Sequence, residues 1–350
     1  MSNNTLVSFL YSMLFITFFM LLTSCINKTK HSEKIDSETK IYPSEVITFM
    51  DKWTILLGDG TRSNRLMNFQ KDNFFYNERE DDVDWVVYKT PNSGITSRTS
   101  SNTRTELGEK NRWTPEEGGK LTGTLRVQHV STTGDARVPS SYSVVVGQIH
   151  SDEGHENEPL KIFYKKYPEH KKGSVFWNYE INTAGDNSGR WDFSTAVWGT
   201  DWATVGAEPN KYPNEPKDGI ALGEEFSYEV NVYKGMMYLT FSSEGHDTKT
   251  FKKNLLKSDF SKKAYIPKQV LNIYASKDRD GVERDSAYAG ELQFFKQGAY
   301  NQANGKSTKS ETYNGDIDKQ YNHGSYAEVW FKEATLGSGT RPDINLFQKK

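Results

Sequence analysis

The sequence predicts an all-β protein folded as a two-sheet antiparallel sandwich of the jelly-roll type. Short segments rich in β-branched and aromatic residues recur along the chain, and each is closed by Gly, Asn, Asp or Pro. Helical periodicity nearly disappears after residue 60, and no helical crossovers join the segments, which disfavours a doubly wound parallel sheet. The predicted strands are 121–130, 142–150, 174–181, 226–232, 237–241, 270–275, 290–300 and 326–332.

The folded domain is predicted to start near Pro43, with Ser44 capping a short helix. The apolar residues expected on one face of this helix are Val46, Ile47, Met50 and Trp53. The clearest hairpin joins strands 226–232 and 237–241 through a turn at Lys234 and Gly235.

The polar stretch 182–219 is too long for a simple turn and is predicted to be a loop. It carries three tryptophans, Trp191, Trp198 and Trp202, among Gly, Asn and Pro residues. Two interpretations remain open for it. One is a surface excursion without a role, and the other is a lid over a bound substrate.

Composition limits the classes of protein to which the chain can belong. Its 350 residues are enough for a large buried core, and 19 Phe, 19 Tyr and 8 Trp provide apolar bulk that disordered chains lack. Lys and Arg number 44 against 46 Asp and Glu, so the net charge of -2 argues against a nucleic-acid partner but permits a local basic groove. A single cysteine excludes an internal disulfide framework and a cysteine-based zinc site.

That cysteine, Cys25, follows an apolar stretch at 6–22 and precedes a Lys-rich polar segment at 27–40, an order that resembles a bacterial lipoprotein signal. Plain secretion and a retained membrane anchor are the alternatives. The sequence thus predicts a signal peptide over 1–25 ending at a lipidated Cys25, a flexible tether over 26–43 and a folded domain over 44–350. The expected location is the bacterial cell envelope, at the outer membrane or cell surface, or outside the cell, with membrane contact only through the lipid.

Common catalytic and metal-binding motifs are missing from the sequence. It contains no GxSxG, P-loop, HExxH or dinucleotide GxGxxG pattern. Residues 276–281 imitate the start of an EF-hand calcium loop, but Ser276 replaces the first Asp and Ala287 stands where the bidentate Glu belongs. A polar hairpin loop is therefore expected there instead of a calcium site.

Three short segments would each present polar side chains to one face of a sheet. Residues two apart in a strand point the same way, whereas Leu107, which follows Glu106, and Ile149, which lies between Gln148 and His150, point to the opposite face. Each polar residue has an ordinary structural explanation when it is taken alone, but their joint occurrence favours a functional site. The side chains are Arg104 and Glu106, then Gln148 and His150, then Lys296, Tyr300 and Gln302.

Together these segments resemble the three signature blocks of polysaccharide lyase family 7, the alginate lyases. The blocks read RTEL at 104–107, QIH at 148–150 and FFKQGAYNQ at 294–302, and the similarity extends from about residue 44 to the C-terminus. Three positions depart from the family pattern. Gly108 stands where the first block often has Arg, while Phe294 and Gln297 replace Tyr and Ala, so that Tyr300 is the only phenol in the third block.

The resemblance implies an alginate lyase whose catalytic groove lies on the concave face of the sandwich. Such an enzyme removes the C5 proton of a 4-linked uronate and expels the oxygen at C4. The matching positions assign Arg104 and Gln148 to neutralising the C6 carboxylate. His150 is then the base and Tyr300 the acid when C5–H and O4 lie on opposite sides of the sugar, and Tyr300 performs both steps when they lie on one side.

Glu106 is expected to support Arg104, and Lys296 and Gln302 to bind the substrate. In the family that the chain resembles, Ile at the middle of QIH accompanies activity on guluronate-containing blocks, so Ile149 implies a preference for them. Endo action by a monomer is also expected. No metal or cofactor is expected, because the protein's own donors neutralise the acid. The alternatives are a non-catalytic polyuronate-binding module and a lyase for another uronan such as polyglucuronate; a retaining glycoside hydrolase is disfavoured because no block carries paired carboxylates for it.

Overall fold

The structure is a computed structural model that describes residues 41–97, 100–152, 158–183, 186–256 and 288–348. These residues belong to one compact unit and form mainly antiparallel β-structure. The strands are β1 Trp53–Leu56, β2 Arg62–Ser63, β3 Phe75–Glu80, β4 Val83–Pro91, β5 Arg104–Glu109, β6 Lys120–His129, β7 Ser143–Ser151, β8 Leu160–Lys165, β9 Lys172–Thr183, β10 Asp186–Trp198, β11 Ile220–Ala221, β12 Glu225–Tyr233, β13 Met236–Ser242, β14 Lys249–Asn254, β15 Gln293–Asn301 and β16 Tyr326–Gly337. Short helices lie at α1 Pro43–Val46, α2 Gly305–Thr308 and α3 Ile317–Asn322, with 3-10 turns at Met50–Lys52, Tyr313–Gly315 and Ile344–Phe347.

Two sheets stack face to face. The front sheet has the order β10-β9-β8-β7-β15-β5-β1-β2, with β11 also paired to β9, and the back sheet has the order β14-β13-β12-β6-β16-β4-β3. Neighbours in these sheets come from distant parts of the chain, as in β7-β15-β5, which is typical of a jelly roll. The prediction of an all-β two-sheet antiparallel sandwich is confirmed.

The core lies between the sheets and follows the alternation of the strands. In β12, Phe226, Tyr228 and Val230 are buried while the residues between them are more exposed, and β13 repeats the pattern with Met237 and Leu239. Burying one large apolar side chain stabilises the fold by about 1.5–3 kcal/mol. The period-2 pattern in the sequence therefore determines which face of each strand enters the core.

The predicted β12–β13 hairpin forms as expected. Tyr233 pairs with Met236, and the two residues between them, Lys234 and Gly235, have φ values of 50° and 77°. Positive φ at both central positions is the requirement of a type I′ turn, whose twist matches that of the flanking strands.

The predicted helix near Ser44 is much shorter than expected. Helix α1 ends at Val46, a separate 3-10 turn follows at Met50–Lys52, and Trp53 already begins β1 by pairing with Glu109. Ser44 does not cap the helix, because the helix starts at Pro43 and the Ser44 hydroxyl donates to the Met67 carbonyl. Because β1 pairs with β5, Trp53 belongs to the sheet, and this tertiary pairing overrides the helical periodicity of the local sequence.

The predicted loop 182–219 is wrong in its first part. Residues Asp186–Trp198 form β10, which pairs antiparallel with β9, and a loop follows only at 199–219. The sequence did not predict β10 because its composition is polar. This composition agrees with its position as an edge strand in the described part of the front sheet. Strand β8 was also missed, since its six consecutive buried residues show no alternation.

Several predictions fall outside the described residues. These are the lipoprotein signal with Cys25, most of the tether, the strand at 270–275 and the polar loop at 276–287. Within the part of the chain that the structure describes, no helix has the length and apolar character needed to cross a bilayer.

Candidate active site

A groove of about 1040 Å³ crosses the outer face of the front sheet. Strands β1, β5, β7, β8 and β15 contribute to its lining. Six of the seven residues predicted for the site line this groove, and the seventh, Gln148, is 1% exposed and reaches a lining residue through its amide. The six are Arg104, Glu106, His150, Lys296, Tyr300 and Gln302.

Strand β15 brings the three predicted segments together, because it lies between β5 and β7. Tyr300 pairs with Arg104 of β5, and Lys296 pairs with Gln148 of β7. Adjacent strands are about 4.8 Å apart, so side chains on one face of these three strands are near neighbours. The structure thus places residues from 104 to 302 in one cluster.

Glu106 is the centre of that cluster. Its carboxylate is 4% exposed and accepts hydrogen bonds from Arg104 Nη1, at 3.3 Å, and from the Gln148 amide. Lys296 Nζ lies 3.9 Å from the same carboxylate. Two cations thus share one anion, so that these three side chains carry a net charge of +1 and favour an anionic ligand.

Tyr300 stacks against Arg104. The guanidinium carbon lies 3.9 Å from the centre of the phenol ring. Ser100, which the sequence did not single out, connects the two: its hydroxyl accepts a hydrogen bond from Arg104 Nη2 at 3.1 Å and lies 3.2 Å from Tyr300 Oη. These contacts fix the positions of both the Arg104 guanidinium and the Tyr300 phenol.

His150 is held as a neutral imidazole with one defined tautomer. Nδ1 lies 2.6 Å from the Ser151 carbonyl, which can only accept, so Nδ1 carries the proton and Nε2 keeps its lone pair. Burial and then the charge of Lys296 lower the pKa of His150 to about 3. The imidazole is therefore unprotonated at neutral pH and able to accept a proton.

Two groove residues that sequence reasoning missed are Glu158 and Lys161. Glu158 Oε1 lies 3.4 Å from His150 Nε2, and its other oxygen lies 3.1 Å from Lys161 Nζ. Although burial opposes the shift, Lys161 and His150 hold the pKa of Glu158 well below its usual range. The available signal was a lysine inside the apolar strand β8, at the position that pairs with Gln148.

The positions that depart from the family pattern have different surroundings. Gln297 points into the core, where its amide donates to Tyr228 Oη at 2.7 Å, so it does not face the groove. Phe294 and Gly108 do line the groove. Gln302 donates to the Tyr300 carbonyl at 3.2 Å and therefore also supports the backbone that carries the phenol.

Trp202, from the loop 199–219, also lines the groove. Its ring centre lies 4.7 Å from that of Phe163, and it packs with Tyr300 against one small apolar cluster. The loop therefore places an aromatic ring at the groove, which the interpretation as a surface excursion did not anticipate.

A family model described as alginate lyase matches residues 48–338. The chain belongs to the alginate lyase family. It is a polysaccharide lyase, and the resemblance to polysaccharide lyase family 7 is confirmed.

Individual relatives agree with this assignment. A crystal structure described as the exolytic PL7 alginate lyase AlyA5 from Zobellia galactanivorans is 70% identical, covers 86% of this chain and 99% of that chain, and has a TM-score of 0.80. An alginate lyase from Klebsiella pneumoniae is 29% identical over 264 residues, which are 66% of this chain and 72% of the relative. A crystal structure of the alginate lyase from Klebsiella pneumoniae, 23% identical with a TM-score of 0.59 over 84% of this chain and 97% of that chain, shares the fold.

The pKa values of Lys296 and His150 predict how lyase activity depends on pH. Burial and the neighbouring Arg104 lower the pKa of Lys296 to about 8, so its charge is present below that pH and is lost as pH rises through it. His150, with its pKa lowered to about 3, stays neutral over the range in which Lys296 is charged. We expect kcat/KM to be nearly flat from about pH 5 to 7 and to fall above about pH 8.

The matched variant is Lys296→Arg, which keeps its charge at all working pH values. It should move the alkaline fall to higher pH, and initial rates at a series of pH values measure this. A fall centred near pH 6.5 on the acid side would show instead that His150 titrates with its ordinary pKa.

Proposed function

We propose that this alginate lyase cleaves the polymer by metal-independent β-elimination, with a preference for guluronate-containing blocks. The observation that carries the proposal is the cluster in which Arg104, Gln148 and Lys296 meet at Glu106 beside a neutral His150 and the Tyr300 phenol. The groups needed for anion binding, proton removal and proton donation all lie on one sheet face.

The anionic end of the sugar is what makes the reaction difficult. Removing the C5 proton pushes negative charge onto the C6 carboxylate, which is already an anion. Fixed donors aimed at developing charge contribute about 2.7–4 kcal/mol each. Arg104 and Lys296 supply that charge here, and Glu106 holds them in place before the substrate arrives.

Proton transfer is divided between His150 and Tyr300 when C5–H and O4 lie on opposite sides of the ring. His150 Nε2 takes the C5 proton, the electron pair forms the C4–C5 double bond, the C4–O4 bond breaks and the Tyr300 hydroxyl donates to O4. When both groups lie on one side, Tyr300 performs both steps. The guanidinium stacked on its ring then stabilises the negative charge that develops on the phenol oxygen.

The preference for guluronate rests on Ile149 of the QIH block. In the structure Ile149 is fully buried in the core and does not face the groove, so any effect on the substrate must act through the position of β7. A one-methyl difference is worth roughly 1–3 kcal/mol at most. Initial rates on guluronate, mannuronate and polyglucuronate polymers measure this preference.

The decisive experiment follows the ultraviolet absorbance of the unsaturated product from alginate in the presence of a chelator. Tyr300→Phe should lower the rate by about 10²–10⁴-fold on all blocks, and His150→Ala should do so on the blocks for which His150 is the base, because each variant removes one proton-transfer group. Tyr300→Phe is the sharper variant, since the ring that stacks on Arg104 is kept.

Each rival function gives a different result in this experiment. Binding of alginate without new absorbance would identify a binding module. New reducing ends without absorbance would identify a hydrolase, and a loss of absorbance on adding chelator would show a metal requirement.

The sequence predicts endo action, but the 70% identical relative described as exolytic favours exo action for this chain. We infer that product is released from chain ends. Absorbance should then rise while the viscosity of long-chain alginate hardly changes, because each end cleavage leaves most of the polymer intact. An early collapse of viscosity would support endo action.

We also propose that the protein is tethered to the bacterial envelope by a lipid on Cys25. The support is the order of apolar stretch, cysteine and polar segment at 6–40. The intact protein should partition with detergent-extracted membranes, and Cys25→Ser should release it. Equal partitioning of the two forms would contradict the proposal.

A further inference from the structure

Glu158 is a carboxylate placed in a groove that binds a polyanion. Its side chain is 12% exposed, and Lys161 Nζ holds it at 3.1 Å. Lys161 is itself bound on the other side by Glu180, at 2.5 Å. An acidic group at this position opposes substrate binding by charge, so its placement calls for a benefit in another step.

The groups around His150 mostly resist its protonation. Lys296 and Arg104 face it from β15 and β5, and both lower its pKa through their positive charge. The Ser151 carbonyl accepts from Nδ1 and favours the imidazolium. Phe294, whose ring centre lies 5.2 Å away, brings no charge.

Glu158 is the carboxylate that counters those cations. Its Oε1 lies 3.4 Å from Nε2, the atom that would receive the proton, and its charge raises the pKa of His150. An opposite charge within about 4–6 Å favours the protonated form by roughly 1–3 pKa units. The stabilisation is therefore greatest after the proton has been transferred.

We propose that Glu158 is a positioning residue of the elimination, which stabilises the imidazolium formed when His150 takes the C5 proton. This inference rests on the proposed function. The C5–H bond breaks and its proton binds Nε2, while its electron pair forms the double bond and expels O4, which is protonated by Tyr300. Water then takes the proton from the imidazolium and returns one to the phenolate.

Two possible roles of Glu158 predict different changes in kcat and KM. A group that acts only by repelling the substrate would raise KM and leave kcat unchanged. A group that stabilises the imidazolium acts in the transition state, and so its loss lowers kcat. Glu158→Gln removes the charge and keeps the shape, and it separates these two effects in a single variant.

The experiment compares Glu158→Gln with the wild-type protein on guluronate and mannuronate homopolymers, which are C5 epimers. His150→Ala first identifies the polymer for which the imidazole is the base. On that polymer Glu158→Gln should lower kcat about tenfold or more, with KM unchanged or lower. On the polymer that Tyr300 processes alone, kcat should stay within about twofold.

Glu224→Gln is the matched control, since it makes the same change in a carboxylate that pairs with another histidine, His246, at 2.7 Å and does not line the groove. It should alter kcat less than Glu158→Gln does. Glu158→Asp keeps the negative charge and should recover part of kcat. This variant still tests the role of the charge if Glu158→Gln does not fold.

The outcomes separate this proposal from the proposed function. A wild-type protein that forms no unsaturated product contradicts the function itself. An active wild type whose Glu158→Gln variant keeps kcat, or loses it equally on both polymers, overturns only the role of Glu158.

Discussion

The site depends on one buried carboxylate. Two cations and an amide cannot be placed side by side under a groove without an anion between them, because their mutual repulsion and loss of hydration would cost several kcal/mol. Glu106, which is 4% exposed, supplies that anion, and its single charge balances only one of the two cations that it contacts. That remaining charge is what the acid group of a uronate would neutralise, so binding and activation of the substrate come from the same arrangement.

The core between the two sheets holds the strands that carry this cluster in place. Strand β15 lies between β5 and β7, and its inward side chains anchor it in the core: Phe295 is fully buried and Gln297 bonds to Tyr228 of the back sheet. Between Lys296 and Tyr300 the register shifts at a bulge, and Gly298, with φ of 142°, lies against the β5 backbone, where a Cβ would meet the Thr105 carbonyl at 2.6 Å. Alternation along β15 turns Tyr300 to the same face as Lys296, and its unbroken register with β5 places it on Arg104.

The same positive surroundings that attract the substrate create a problem for the base. Burial and these positive charges keep His150 neutral and available, but they also make its protonated form costly at the moment when it is needed. A carboxylate near Nε2 offsets this cost, at the expense of some repulsion towards the polyanion. Glu158 occupies that position, and Lys161 with Glu180 holds it there.

The sequence by itself determined the fold class and most of the site, because alternation is a local property: a strand with Leu107 or Ile149 in the core must turn Arg104, Glu106, Gln148 and His150 the other way. Prediction from the sequence failed for elements that no local pattern of residues marks. The uniformly buried β8 and the polar edge strand β10 were missed, and the first helix is shorter than predicted, since pairing with other strands decides these elements. The approach of Ser100, Glu158 and Trp202 to the cluster was decided only by the tertiary structure. Strand order and loop paths arise from contacts between residues far apart in the chain, and no periodicity within a segment encodes them.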